Sequence, residues 1–177
     1  MKNISSQNFL DRFYVSYSYR SFILKYKTMK DCYDALLNGV LGDDSLELAI
    51  CLYGHAVPFK KSNVFALWCA KRVEKYMKKE TSHQAIKLME QYIKKEIPFQ
   101  ELTKLGNILS KEEYDINEDP AVELLNDDPK EVLEFVSFSS INIGGEQEAI
   151  AQMNKLKELG NPFKEEVINE KKKVYNR

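Results

Sequence analysis

The chain has 177 residues, 44% of them hydrophobic and 30% charged, and its formal net charge is −1. That is one ordinary domain's length with enough apolar material for a packed core. It excludes a disordered or low-complexity chain, a disulfide-knit scaffold and a uniformly basic nucleic-acid binder.

Five prolines and seven glycines fall between apolar periodic stretches, the punctuation of a helical protein. The expected fold is all-α: a compact multi-helix bundle of short helices forming a single domain over 1–160, then a charged C-terminal helix over 161–177. Cys32, Cys51 and Cys69 are an odd number without paired short spacing, which points to a reducing, cytoplasmic setting. Met1 to Leu10 has no apolar run of signal-peptide length, and Lys25 and Lys27 break the stretch after Phe22-Ile23-Leu24, so neither export nor membrane insertion is expected.

Leu10, Phe13, Tyr14, Tyr17 and Leu24 follow helical spacing, although Phe13, Val15, Tyr17 and Tyr19 also alternate like a strand; length favours one helix. Thr28 is placed to cap a helix carrying Cys32, Tyr33, Leu36 and Leu37, which Gly39 ends. Asp43 and Asp44 precede Leu46, Ala49, Ile50 and Tyr53, with Gly54 as the stop. A central antiparallel hairpin is then expected from about 62–79 and 82–97. Its first stripe is Phe65, Ala66, Cys69, Val73, Tyr76 and Met77, and its second is Ala85, Ile86, Met89, Tyr92, Ile93 and Ile97, opened by a Thr81–Gln84 capping box.

Pro98 introduces a segment with Leu102, Leu105 and Leu109, and Ser110 with Glu113 marks a stub. Asp119-Pro120 and Asp128-Pro129 each put a carboxylate before a first-turn proline, predicting helices to Leu125 and Phe138. Ser137 to Gly145 reads as a loop, with a short strand through Phe138, Ile141 and Ile143 as the alternative. Ala149, Ile150, Met153, Leu156 and Leu159 restore helical spacing until Gly160. Pro-Phe occurs at 58–59, 98–99 and 162–163 without a fixed period, so it reads as chance or shared helix-entry chemistry.

Chemistry-bearing residues are sparse. Cys51 and His55 lie four apart, but no Cys-x-x-Cys or His-Glu-x-x-His accompanies them, so a buried cysteine beside a loop histidine is the better reading than zinc. Cys69 lies on a buried stripe. Glu112-Glu113 and Asp127-Asp128 suit helix starts, and Gly144-Gly145 suits a turn. No residue is assigned a catalytic, cofactor-binding or metal-binding role. Trp68, the single tryptophan, lies at the stripe's edge, where it either seals the hairpin or stands exposed as an anchor; sealing is expected.

The informative feature is charge asymmetry. Residues 1–96 contain 16 Lys and Arg against 10 Asp and Glu, and the remainder contains 10 against 17. Lys71, Arg72, Lys75, Lys78 and Lys79 form a basic face that is the candidate partner-binding surface; alternatively the two halves attract each other.

Val64-Phe65-Ala66-Leu67-Trp68-Cys69-Ala70-Lys71-Arg72-Val73, then Ser82-His83-Gln84-Ala85-Ile86, preceded by His55-Ala56-Val57-Pro58, resembles helical immunity proteins found beside polymorphic toxins, those termed immunity protein five-like. Similar segments occur in uncharacterised bacterial and phage proteins. The likeness spans residues 55–96, and the family's acidic, arginine-rich turn is replaced here by Lys78-Lys79-Glu80-Thr81. It implies no catalytic residues and a protein partner, a toxin or enzyme that the chain would mask. The alternative from another class is a nucleic-acid-associated protein whose Tyr17, Tyr19 or Tyr26 stacks on unpaired bases. An enzyme ranks last.

Overall fold

The computed structural model describes residues 4–109, 120–125 and 129–164, and the regular elements in them are helices, with one isolated antiparallel bridge between Ser5 and Thr28. The protein is all-α. It divides into two compact units: both chain ends, Met1–Ala56 with Met153–Arg177, form one, and Val57–Gln152 forms the other. The Ser110–Glu113 signal, Asp128 and the expected helix beyond residue 164 lie outside the described residues, as do the side chains of Leu105 and Leu109.

The first unit holds α1 (Ser6–Leu10), α2 (Tyr17–Ile23), α3 (Met29–Leu37) and α4 (Asp44–Ala56). The single N-terminal helix expected from spacing is instead two short ones. Ser5 caps α1, accepting from the Asn8 amide at 3.2 Å, and the chain leaves helical geometry before Val15, which is buried. Phe9, Leu10, Val15, Phe22 and Ile23 take the core positions, while Tyr14, Tyr17 and Leu24 of the expected stripe stand exposed. Two competing periodicities in that segment had the same cause: neither element is long enough to show its own.

Thr28 caps α3 as expected, accepting from the Asp31 amide at 3.2 Å and donating to the Asp31 carboxylate at 2.6 Å. Gly39, at φ 76°, closes α3 with the paired bonds of a Schellman motif, its own amide to Leu36 and that of Val40 to Ala35. Gly54 does not stop α4, which continues to Ala56. Leu46, Leu48, Ala49, Ile50, Leu52 and Tyr53 are buried around nearly the whole helix, and that burial outweighs the roughly 1 kcal/mol a mid-helix glycine costs.

The chain's last described residues return to this unit. Buried Asn161 donates from Nδ2 to the Lys30 carbonyl and to Asp34 Oδ1, both at 2.8 Å, and its own Oδ1 accepts from the Phe163 amide at 2.9 Å. Phe163 packs edge-on against Phe9 and Tyr33, each with centroids 5.8 Å apart.

The second unit holds α5 (Phe59–Val73), a 3-10 turn (Glu74–Tyr76), α6 (Glu80–Ile93), α7 (Phe99–Leu109), α8 (Pro120–Glu123), α9 (Pro129–Gly144) and the opening turns of α10 (Glu146–Leu159). Helices α5 and α6 form the antiparallel hairpin: Lys71 pairs with Glu90, and three residues further along Glu74 meets His83. Its bounds differ from 62–79 and 82–97. The first helix starts after Pro58 and unwinds at Glu74, leaving Tyr76 and Met77 outside it. The second is capped at Lys79, so Thr81 lies inside it and the Thr81–Gln84 box does not mark the start.

Nor is the hairpin the main contact, because α5 packs most extensively against α9. Residues 137–144, expected as a loop, complete α9, with Ser137, Ser139 and Ser140 buried along it. Cys69 Sγ lies 3.8 Å from Ser137 Oγ, and further along both helices Val73 Cγ1 would stand 3.4 Å from a Cβ at Gly144, so α5 and α9 run parallel. Two of the Pro-Phe pairs share more than entry chemistry: Phe59 and Phe99 meet with centroids 5.8 Å apart, and Tyr92 touches both rings.

Helix α6 stops at Ile93, short of Ile97, through the same Schellman bonds as α3, Lys95 to Tyr92 and Glu96 to Gln91, both at 2.9 Å. Here a lysine holds the left-handed position, at φ 65°. Relief of that strain predicts that Lys95→Gly raises unfolding stability by about 1 kcal/mol, read from denaturant melts at unchanged m-value.

A second expectation concerns acid. Burial raises the Asp34 carboxyl, but the hydrogen bonds from Asn161 and Lys30 outweigh it and hold it below the usual carboxylate range. The resulting stability is complete above the ordinary carboxylate value and is lost as pH falls through the depressed folded one. Asn161→Ala is expected to cost about 2 kcal/mol at neutral pH and to flatten this acid-side loss, measured by melts across pH 2–7.

Candidate interaction surface

The basic residues singled out in the sequence arise on the last turns of α5 and on the connection to α6. Helical rotation separates Lys71, Arg72 and Lys75 from the buried stripe of Phe65, Ala66, Cys69 and Val73, so all three reach solvent.

They do not act alike. Lys71 is tied to Glu90 of α6; the contact raises the lysine pKa and lowers that of the glutamate. Arg72 donates from Nε to Glu148 Oε2 at 2.8 Å and lays its guanidinium over the Trp68 ring, 5.0 Å from the centroid. Glu148 is only 4% exposed, and its other oxygen accepts from Gln152 Nε2 at 3.3 Å. Gln152 also donates to the Ser137 carbonyl at 3.0 Å, so one buried polar chain joins α5, α9 and α10. Part of the charge asymmetry is therefore internal: Arg72 from the basic half satisfies Glu148 from the acidic half within one unit.

Lys75, Lys78 and Lys79 remain exposed on the connection. Lys75 Nζ sits 4.8 Å from the centre of the Tyr76 ring, and Tyr76 is 54% exposed. Glu74 is held by His83, Oε1 to Nδ1 at 3.1 Å, on the other side of the turn. Met77 to Lys79 run extended before α6 begins. Helical spacing puts Tyr76 on the core stripe; its exposure follows from the helix unwinding at Glu74.

Trp68 is half-buried, stacked on Phe65 at 5.9 Å and 16° and covered by Arg72 on its face. It is thus neither sealed into the hairpin nor a bare anchor. Of the tyrosines considered for base stacking, Tyr17 is 88% exposed, whereas Tyr19 bonds to Glu47 and Tyr26 packs on Phe22 at 5.2 Å. Burial, together with Glu47, pushes the Tyr19 hydroxyl up to about 12. Tyr14, which sequence spacing assigned to the core, is 86% exposed in the same unit.

Cys32, Cys51 and Cys69 are not joined in disulfides. Burial raises the Cys69 thiol well above its ordinary range despite its Ser137 contact, and burial pushes Cys32 up to about 12, so neither is poised as a thiolate. His55 packs between aromatic rings, 5.8 Å from Phe9 and 5.0 Å from Phe13. Among the described residues no three His, Cys, Asp or Glu side chains are grouped to hold a metal ion, and no helix is long and apolar enough to cross a membrane.

The class this geometry defines is an all-α protein with polar locks inside its second unit and aromatic-basic surface outside. No protein-family model, curated protein or solved structure matches the chain.

Substitution separates the two kinds of cation. Arg72→Ala strands the Glu148 carboxylate and is expected to cost about 2 kcal/mol, less than a fully buried pair would because Arg72 is 40% exposed. Lys75→Ala and Lys78→Ala are expected to stay within about 0.5 kcal/mol of the parent protein in the same melts.

Proposed function

We propose that the protein is a non-catalytic protein-binding module that masks a toxin or an enzyme, in the manner of the immunity proteins its α5–α6 hairpin resembles. One observation carries this reading: large tyrosines stand exposed beside cationic residues instead of entering the core. Tyr14 and Tyr17 lie in the segment with Arg12 and Arg20, and Tyr76 lies against Lys75. Tyrosine buries a large rigid surface at small entropic cost and supplies a hydroxyl, so it is enriched among residues that dominate binding energy. Neighbouring cations steer an acidic partner to the surface.

The groups that could have served chemistry support the same reading by their local roles. Cys69 is core, Glu148 is locked to Arg72, and His83 is engaged by Glu74. Three cysteines outside any disulfide fit a reducing, cytoplasmic setting.

The test is affinity capture with the intact chain from the cells that make it, followed by reconstitution with each recovered protein. The expected result is one stoichiometric partner whose activity falls when the chain is added. Recovery of single-stranded nucleic acid alone, with retention falling steeply between 50 and about 200 mM salt, would replace this reading with nucleic-acid binding through Tyr17.

A further inference from the structure

We infer that the corner joining α5 to α6 is the docking surface, and that it receives a protein segment presenting an apolar or aromatic side chain flanked by carboxylates. This rests on the protein-binding reading above and names its surface and the partner's chemistry.

The corner differs from the rest of the basic face in what its charges are doing. Lys71 and Arg72 are committed to Glu90 and Glu148. Glu74, two residues before the exposed ring, is drawn to His83. Lys75 is exposed against the Tyr76 ring, and exposed Lys78 lies two residues beyond that ring on the extended connection. The ring offers an apolar face at a 3-10 turn braced by α5 and α6, so little order has to be imposed on binding. A partner side chain packing on Tyr76 would set its flanking carboxylates beside the two lysines, and exclusion of water by that contact strengthens the charge pairing.

A phosphate backbone fits less well. It needs positive charge continued along a track, and here the lysines are bounded by Glu74 on one side and exposed Glu80 on the other. Two exposed cations, Lys75 and Lys78, on either side of one ring in the sequence match a short acidic patch.

The experiment uses the intact chain and a fluorescein-labelled twelve-residue peptide with a central Leu-Pro-Leu flanked by glutamates, read by anisotropy at 50 mM salt, with oligo(dT) of twelve nucleotides as the second probe. Lys75→Glu/Lys78→Glu should weaken peptide binding at least tenfold, and Tyr76→Ala at least fivefold. Lys60→Glu/Lys61→Glu makes the same charge change on exposed lysines at the start of α5 and should alter it less than twofold. Circular dichroism melts must match the parent for each variant; a Tyr76 variant that melts early is replaced by Tyr76→Ser. Absent peptide binding, equal loss in both double variants, or tighter binding of the oligonucleotide overturns the corner as an acidic-protein site. If a captured partner stays bound to Lys75→Glu/Lys78→Glu, the corner proposal fails while protein binding stands; if no protein is captured, the functional reading itself fails.

Discussion

The carboxylate of Glu148 is the constraint around which the second unit is arranged. A charge taken out of water costs several kcal/mol unless its oxygens are met by donors, and Glu148 has two: Arg72 from α5 on one oxygen, Gln152 from its own helix on the other. Arg72 reaches it only if the turn between α9 and α10 lies close against α5. Gly144 makes the approach possible, since a Cβ there would stand 2.7 Å from Glu148 Cβ, nearer than real side-chain contacts come. Gln152 passes the connection on to the Ser137 carbonyl of α9. A buried ion pair of this kind is poor evidence of added stability over an apolar filling, but it specifies register, because a shift of α10 would strand the charge.

What was legible in the sequence was local. Thr28, Gly39, the prolines at 58, 98, 120 and 129, and Gly160 mark helix ends by chemistry that acts within one turn, and each lies at or beside an end in the structure. What was not legible depends on partners far along the chain. Arg72 and Glu148 are 76 residues apart, and Asn161 and Lys30 are 131 apart. Nothing in either neighbourhood announces the other. The run through 137–144 reads as a loop because Phe138, Ile141 and Ile143 do not sustain helical spacing, yet its serines are buried along α9 and Ser137 meets Cys69 of α5. Lys95 shows the converse, a helix end without the glycine that usually signals it.

The candidate surface was half legible for the same reason. Composition located the cations on α5 and its exit, since charged residues off the apolar stripe must face water. It could not divide them. The positions of Glu90, Glu148 and His83 show that Lys71, Arg72 and Glu74 are held by neighbours within the chain, and the exposure of Tyr76 follows from an unwinding that its helical spacing concealed.

The unit made from both chain ends bears on how the protein is made. Helices α1 to α4 leave the ribosome early, but the Asn161 and Phe163 contacts that close over Lys30, Asp34, Phe9 and Tyr33 are encoded more than a hundred residues later. At a synthesis rate of about 5–20 residues per second, that leaves the early helices unfinished for several seconds, with apolar surface awaiting its cover. A nascent chain in that state is a client for holding chaperones, and a premature stop before codon 161 would release a protein whose second unit is fully encoded while its first has lost its clasp.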